Sequence, residues 1–159
     1  LAQCEQQGIE PDAIYLCSGA YTHVGLVVGL KALGVDWRVV GISPSPRDDQ
    51  QAAEGHAELA RECAGVLELD LELSPEDFES YAGFVGPDYG VVTEKSKAAL
   101  HLVAEQEGLL LDPSYTSKAM VGLIAHIDDG RWHAGQTIVF LHTGGTPALF
   151  AYAKDLGYE

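Results

Sequence analysis

Two glycine-bearing turns in the sequence carry residue types that can bind an anionic ligand. The first turn follows an apolar run at residues 13–17 and leads into an apolar segment at residues 24–33. It combines hydroxyls and consecutive backbone N–H groups with the positive end of a predicted helix, so it can bind a phosphate without lysine or arginine. Such a turn is also common scaffold, and it matches neither the dinucleotide-binding nor the Walker pattern. Its residues are Ser18, Gly19, Ala20, Tyr21 and Thr22.

The second turn, residues 142–147, reads HTGGTP and ends an apolar run at residues 137–143. Its glycines permit backbone conformations that other residues avoid, and Pro147 suits the first turn of a helix. In a parallel α/β sheet, ligands bind beyond the carboxyl ends of the strands. We therefore expect the two turns to meet and to form one ligand site.

Three β-rich runs predict the sheet that positions these turns: residues 13–17, 37–43 and 137–143. The first and third are almost continuously apolar, as in strands that are buried on both faces. Each run is followed by a turn and a helical segment, which is the order of a parallel sheet with right-handed crossovers. The sequence thus predicts a single α/β domain over residues 1–159, a three-layer sandwich with a mainly parallel sheet.

Spacing and end signals predict five helices, over residues 24–33, 46–64, 93–107, 115–129 and 148–156. The first is apolar almost all round and should be buried, whereas the second is polar and should lie outside and carry little chemistry. Gly34, Gly108 and Gly130 suit the ends of three helices, and Ser114 suits the N-cap of the fourth. We also expect the run at residues 109–113 to be buried.

Composition and charge argue against several classes of partner. The chain has 24 acidic and 9 basic residues and a formal net charge of -15, which repels nucleic acid and anionic lipid headgroups. A solvated acidic surface or a salt-adapted source would each explain this charge. The sequence has no apolar stretch long enough for a membrane span and no signal-peptide pattern, and its three cysteines fit no secreted disulfide framework. These features predict a soluble, cytoplasmic protein without nucleic-acid or membrane partners.

Three further groups of polar residues suggest no separate site. His23 begins an apolar helix and is expected to be a packed, hydrogen-bonded residue. His126 and His133 lie seven residues apart, which is not a zinc or iron spacing, and both are expected to be solvated. The acidic cluster within residues 70–79 is expected to form a solvent-facing strand and turn.

Four segments together resemble one family. They are residues 18–25 (SGAYTHVG), 86–90 (GPDYG), 110–120 (LLDPSYTSKAM) and 140–150 (FLHTGGTPALF). In order and approximate spacing they resemble the D-cysteine desulfhydrase and 1-aminocyclopropane-1-carboxylate (ACC) deaminase group, within the tryptophan-synthase-β-like, fold type II enzymes that use pyridoxal 5'-phosphate. The resemblance implies the C-terminal part of that fold's large domain, pyridoxal 5'-phosphate as cofactor and a small amino acid as substrate.

The resemblance also implies roles for individual residues. The turn at residues 18–22 is similar to the phosphate-binding loop of the group, but Tyr21 stands where the family usually has Gly or Ser. Its large side chain could crowd the phosphate or point to solvent. Tyr115 resembles the tyrosine that faces the substrate over the cofactor, and Tyr89 resembles a second active-site tyrosine. Without the resemblance, Tyr115 would be interpreted as a core residue and Tyr89 as surface packing.

Two threonines, both implied by the resemblance to contact the cofactor, help to predict the class of substrate. Thr143 ends the last predicted strand, where this fold presents a polar group to the pyridine nitrogen. A hydroxyl there leaves that nitrogen largely unprotonated, which suits loss of a good β-leaving group. The deaminase branch typically has Glu and Leu at the positions that match Thr116 and Thr143. The threonines therefore favour a desulfhydrase, with α,β-elimination to pyruvate, ammonia and sulfide.

The lysine that the group uses to bind the cofactor lies in its N-terminal part, and no lysine of this chain stands in a similar context. We therefore expect a fragment or one half of a split enzyme, inactive alone, whose partner is the missing N-terminal half or a second copy. An ACC deaminase, an L-cysteate sulfo-lyase and a truncated, non-catalytic binding module remain alternatives. The lysines of the chain are Lys31, Lys95, Lys97, Lys118 and Lys154.

Overall fold

The computed structural model describes residues 1–158. Its strands are β1 (Ala13–Cys17), β2 (Arg38–Ile42), β3 (Glu79–Tyr81) and β4 (Ile138–Phe140). They form one parallel sheet with the order β3-β2-β1-β4. Helices cover both faces of this sheet, which confirms the predicted three-layer α/β sandwich.

Helices precede, connect and follow the strands. They are α1 (Ala2–Gln7), α2 (Tyr21–Ala32), α3 (Asp49–Val66), α4 (Glu94–Glu107), α5 (Thr116–Asp128), α6 (Ala148–Ala151) and α7 (Ala153–Leu156), with a 3-10 turn at Pro75–Asp77. The predicted ends of α4 are confirmed, because the Thr93 side chain caps its first turn and Gly108 ends it in the left-handed conformation. Within residues 1–158, no helix combines the length and the apolar character that a membrane span requires.

The two faces of the sheet pack against different helices, since alternate residues of a strand point to opposite faces. Ile14 and Leu16 of β1 pack in the core that includes α2 and α3. Tyr15 and Cys17 pack in the core that includes α5. The side of α3 that faces the core is mostly alanine, so this helix lies close to α2. Its buried alanines are Ala53, Ala57, Ala60 and Ala64.

The edges of the sheet differ from the sequence prediction. The prediction of a fully buried strand over residues 137–143 is wrong, because β4 spans three residues and is half-buried as the edge strand within the described part of the chain. The acidic cluster forms a turn and a strand, but its last member is not simply solvated. Glu79 forms ion pairs with Arg38 and Arg131, and this carboxylate therefore ties β3 to β2 and to the segment after α5.

Three other expectations need correction. Residues 148–156 form two short helices rather than one. Leu109 and Leu110 are exposed, so burial begins at Leu111. His126 is buried rather than solvated, and its Nδ1 accepts a hydrogen bond from the hydroxyl of Tyr15 at 2.6 Å. Burial lowers the pKa of His126, which agrees with a neutral ring in this contact.

Candidate functional site

A cleft of about 460 Å³ opens at the carboxyl ends of β1 and β4. The parallel register pairs Tyr15 with Phe140, so the turns that follow these strands lie side by side. The expectation that the two glycine-bearing turns meet at one site is therefore confirmed. The cleft is lined by Cys17, Ser18, Gly19, Ala20, Tyr21, Thr22, Tyr115, Thr143, Gly144 and Gly145.

A larger open depression of about 1120 Å³ lies around Pro11 and Trp37. It is at the amino ends of β1 and β2 and includes neither glycine-bearing turn. Ligands of parallel α/β sheets bind at the carboxyl ends of the strands. The smaller cleft is therefore the candidate site.

The first turn presents unpaired backbone donors to the cleft. Ser18 donates its backbone N–H to the carbonyl of Ile42 at 3.0 Å, and its hydroxyl accepts the backbone N–H of His23 at 3.3 Å. Within residues 1–158, the backbone N–H groups of residues 19–22 have no hydrogen-bond partner. Free donors at the N-terminus of a 12-residue helix form a suitable site for a phosphate or a carboxylate.

Two side chains that the sequence analysis did not assign to the site contact the back of this turn. Arg47 lies between β2 and α3 and donates to the carbonyl of Gly19, to that of Ser18 at 3.4 Å and to Ser80 Oγ at 2.8 Å. His56, on the buried side of α3, donates its Nε2–H to the Gly19 carbonyl at 3.1 Å. The outer helix, which was expected to carry little chemistry, thus contacts the first turn through one side chain. One histidine within a stripe of alanines gives no sequence signal of such a contact.

His23 is fully buried beneath the same turn. Its Nε2–H donates to the carbonyl of Val39 at 3.2 Å, so the expected packed and hydrogen-bonded histidine is confirmed. Its ring covers Gly41, where a Cβ would collide with the imidazole. Burial lowers the pKa of His23 to about 3, with the neighbouring His56 as the next cause. The ring is therefore neutral at pH 7 and adds no charge behind the turn.

The second turn depends on glycine and on a histidine. Gly144 and Gly145 both have φ values near +100°, at 100° and 92°, which side chains rarely adopt. His142 donates Nε2–H to the carbonyl of Leu110 at 2.9 Å, and its Nδ1 accepts the N–H of Gly144 at 3.2 Å. Thr143 is thereby placed in the wall of the cleft, where it is exposed.

Asp112 holds the start of α5 from inside the protein. Its buried carboxylate accepts the backbone N–H groups of Ser114, Tyr115 and Thr116, each at 2.8 Å. Asp112 rather than Ser114 therefore provides the side-chain cap, and the predicted N-cap at Ser114 is wrong. The Thr116 hydroxyl donates to Asp112 at 2.8 Å and is fully buried. The structure thus places Thr116 in the capping network and not in the cleft wall.

Tyr115 and Tyr89 meet at the mouth of the cleft. Their hydroxyls are hydrogen-bonded to each other, and their rings lie edge to face with centroids 5.8 Å apart. Of these two tyrosines, Tyr115 lines the cleft and Tyr89 does not, so Tyr89 is connected to the site through its hydrogen bond with Tyr115. The hydrogen bond with Tyr89 raises the pKa of Tyr115 to about 12. Tyr89 is held in turn by buried Lys118, which donates to the carbonyl of Asp88 at 3.3 Å.

Two further side chains border the cleft, those of Tyr21 and Cys17. The side chain of Tyr21 is 80% exposed, which favours the solvent-directed alternative over crowding of a ligand. Burial raises the pKa of the Cys17 thiol to about 12, so this group is neutral at pH 7. No lysine of residues 1–158 lines the cleft. The backbone donors at residues 19–22 fit the phosphate of pyridoxal 5'-phosphate, but a covalent attachment point for its aldehyde is not among these lining residues.

The fold and this cleft define a class of protein. The family model described as "Pyridoxal-phosphate dependent enzyme" matches residues 1–144. The chain therefore belongs to the pyridoxal-phosphate dependent enzymes. A crystal structure described as that of an ACC deaminase homologue has the same fold, with a TM-score of 0.83 and 30% identity over 98% of this chain and 46% of that one.

Curated relatives come from both branches of the group. The chain is 40% identical to a D-cysteine desulfhydrase of Klebsiella pneumoniae over 97% of its length, and 38% identical to that of Serratia proteamaculans over 94%. It is 37% identical over 92% of its length to an ACC deaminase of Ralstonia nicotianae. The matches cover 46%, 44% and 43% of these relatives, so the chain spans less than half of their length.

Proposed function

We propose that this chain forms the phosphate-binding half of the cofactor site in a pyridoxal-phosphate-dependent lyase that acts on a small amino acid. The observation that carries this proposal is the set of four backbone donors at residues 19–22 that have no hydrogen-bond partner among residues 1–158. They lie in one cleft with Tyr115 and Thr143, in a chain of this enzyme family. Two of the relatives, at 38% and 40% identity, are D-cysteine desulfhydrases.

Different residues of the cleft would bind different parts of the cofactor. The turn at residues 18–22 would bind the phosphate through backbone N–H groups, and Thr143 would face the pyridine nitrogen. When bound, pyridoxal 5'-phosphate supplies an electron sink for chemistry at the Cα of an amino acid. Tyr115 would face the substrate, since it lines the cleft together with the first turn and is partly exposed.

Tyr115 would hold a proton rather than remove one. With its pKa raised to about 12, the phenol is neutral at pH 7 and is a hydrogen-bond donor. Its proton can be shared with Tyr89, which leaves the lone pairs of one oxygen free for the substrate. We infer that the pair orients the substrate carboxylate or amine and delivers a proton, while the base that removes the Cα proton lies outside this chain.

The choice between the two branches rests on Thr143 more than on Thr116. Thr143 lies in the cleft wall, where a hydroxyl at the pyridine nitrogen favours β-elimination over the harder ring opening of a cyclopropane. Thr116 does not line the cleft and supports α5 through Asp112. ACC deaminase is the second candidate, because a named deaminase and a solved homologue match this chain about as well as the desulfhydrases do.

The direct test supplies the other half of the site. The chain would be co-expressed with the N-terminal half of the Klebsiella pneumoniae relative, and pyruvate formation from D-cysteine and 2-oxobutyrate formation from the cyclopropane amino acid would be measured. We expect pyruvate from D-cysteine with the combined halves and none from this chain alone. If a soluble 1:1 complex of the halves binds the cofactor but yields only 2-oxobutyrate, the deaminase assignment replaces ours. If the complex binds no cofactor, the lyase proposal fails.

A further inference from the structure

We propose that Arg47 and His56 are positioning residues, which together hold the carbonyls of Ser18 and Gly19 away from the cleft and so present the amides of Gly19 and Ala20 to an anionic ligand. The ligand inferred is the phosphate group of the cofactor, and in this respect the inference rests on the proposed function. Neither side chain lines the cleft. Both act on the turn from behind, through its carbonyl oxygens.

The geometry of the peptide unit explains how the contacts of Arg47 and His56 affect the cleft. Residues 1–158 contain no cis peptide bond. In a trans peptide the carbonyl and the N–H of the next residue point in opposite directions. The carbonyl of Gly19 is directed at Arg47 and His56, so the N–H of Ala20 is directed away from them, toward the cleft. The weaker contact of Arg47 with the Ser18 carbonyl orients the N–H of Gly19 in the same way.

The two side chains are anchored independently of each other. Arg47 also donates to Ser80 Oγ at 2.8 Å, which fixes the guanidinium to β3. The ring of His56 packs edge to face on Phe78 and on His23, with centroids 5.7 and 5.3 Å apart. A carbonyl with two anchored donors has little freedom to rotate, and rotation of that peptide would turn the Ala20 donor out of the cleft.

Arg47 and His56 each bury a polar atom that lacks a partner in the described part of the chain, which reduces the stability of the protein. Arg47 Nε and His56 Nδ1 are buried and have no hydrogen-bond partner within residues 1–158. Buried polar atoms without partners reduce stability, and each one calls for an explanation. Arg47 adds a full positive charge that contacts the turn, behind donors that carry only partial charges. In a chain with a net charge of -15, that local cation favours a dianionic phosphate.

Substitutions separate positioning of the turn from general stability. Arg47→Met removes every donor at nearly constant length. His56→Phe keeps the ring packing and removes the donor, while His56→Gln restores an N–H donor. The matched control is Arg61→Met, because Arg61 lies on α3 and donates to the carbonyl of Leu73 at 2.8 Å, outside the cleft. The double variant of Arg47 and His56 tests whether both act on the same carbonyl.

The measurement is a titration of the 159-residue chain with inorganic phosphate, followed by amide chemical shifts of Gly19 and Ala20. We expect these amides to move in the unmodified chain and the apparent affinity to fall at least about tenfold in Arg47→Met. His56→Phe should weaken it several-fold and His56→Gln should restore it. The double variant should lose less than the product of the single losses. Arg61→Met should bind as the unmodified chain does, with a comparable unfolding midpoint.

Two results would overturn the inference. One is phosphate binding by Arg47→Met and His56→Phe at unchanged affinity; the other is an absence of phosphate-induced shifts at Gly19 and Ala20 in the unmodified chain. If Arg47→Met fails to fold, the pair His56→Phe and His56→Gln decides alone. Pyridoxal 5'-phosphate and unphosphorylated pyridoxal are then compared in the same titration. Binding of phosphate at these amides without tighter binding of pyridoxal 5'-phosphate would reject the proposed function and leave the positioning role intact.

Discussion

The hydroxyls of Tyr89 and Tyr115 are hydrogen-bonded to each other at the mouth of the cleft, although the two residues belong to different segments of the chain. The segment with Tyr89 is held by Lys118, and the segment with Tyr115 is held by Asp112. The pair therefore depends on two separate buried anchors. This arrangement makes the protonation state of Tyr115 sensitive to a residue that does not itself line the cleft.

Tyr89→Phe is expected to lower the pKa of Tyr115 from about 12 toward the ordinary value near 10, because the hydrogen bond to Tyr89 is the largest cause of the increase. Ring-labelled tyrosine resonances followed from pH 8 to 13 measure this shift. Tyr158→Phe removes a phenol elsewhere and serves as the control. An unchanged Tyr115 titration in Tyr89→Phe would contradict the paired geometry.

Asp112→Asn is expected to reduce the free energy of unfolding by about 2 to 4 kcal/mol, since an amide can accept only part of the hydrogen bonds that the buried carboxylate now accepts. Urea unfolding followed by circular dichroism measures the change. Asp48→Asn is the matched control, because Asp48 caps α3 through one exposed contact with Gln51, and Asn caps nearly as well. Equal losses in the two variants would contradict the role of Asp112.

Gly145→Ala is expected to destabilise the protein by more than Gly135→Ala, although both glycines have φ values above +90°. Each variant has the cost of a left-handed alanine, about 1 to 2 kcal/mol. At Gly145 a Cβ would also lie 2.7 Å from the Asp112 carboxyl carbon, whereas at Gly135 it would meet open space. Thermal unfolding of both variants isolates that contact, and equal losses would rule it out.

His23 makes stability depend on pH. Burial lowers its pKa to about 3 in the folded chain, whereas the unfolded chain has the ordinary value near 6.5. Between these values the unfolded state binds more protons, so this residue removes stability as the pH falls from 6.5 toward 3, with a limiting slope of about 1.4 kcal/mol per pH unit. Its contribution is constant above pH 7.

Urea unfolding of the chain and of His23→Gln between pH 7 and 5 tests this slope. The free energy of unfolding should fall with pH more steeply in the unmodified chain than in His23→Gln. His133→Gln, at an exposed position, should retain the steep dependence. Identical slopes for the unmodified chain and His23→Gln would contradict a buried neutral His23.

The parts of the fold and site that the sequence predicted are those specified by local signals. The apolar run of β1, the start of α4 next to Thr93 and the glycine at its end, Gly108, are each specified by residues that lie within a few positions of them. The convergence of the two turns followed from the general topology of parallel sheets.

The remaining features depend on contacts between distant residues. β3 is short and of mixed polarity. The buried His126 is hydrogen-bonded to Tyr15, which lies 111 positions away in the sequence. The contacts of Arg47 and His56 with Gly19 span 28 and 37 positions. Neither local periodicity nor residue type carries that information, so these residues could not be assigned to the site from the sequence.

We propose that this chain provides the phosphate-binding half of a cofactor site and that the lysine of that site lies outside this chain. The most direct test is to titrate the chain with pyridoxal 5'-phosphate and with pyridoxal, then to reduce each mixture with borohydride and map the lysines by mass spectrometry. We predict at least about tenfold tighter binding of the phosphorylated form and no lysine modified in full stoichiometry. Equal affinity for the two compounds, or complete modification of any one of the lysines, would contradict the account.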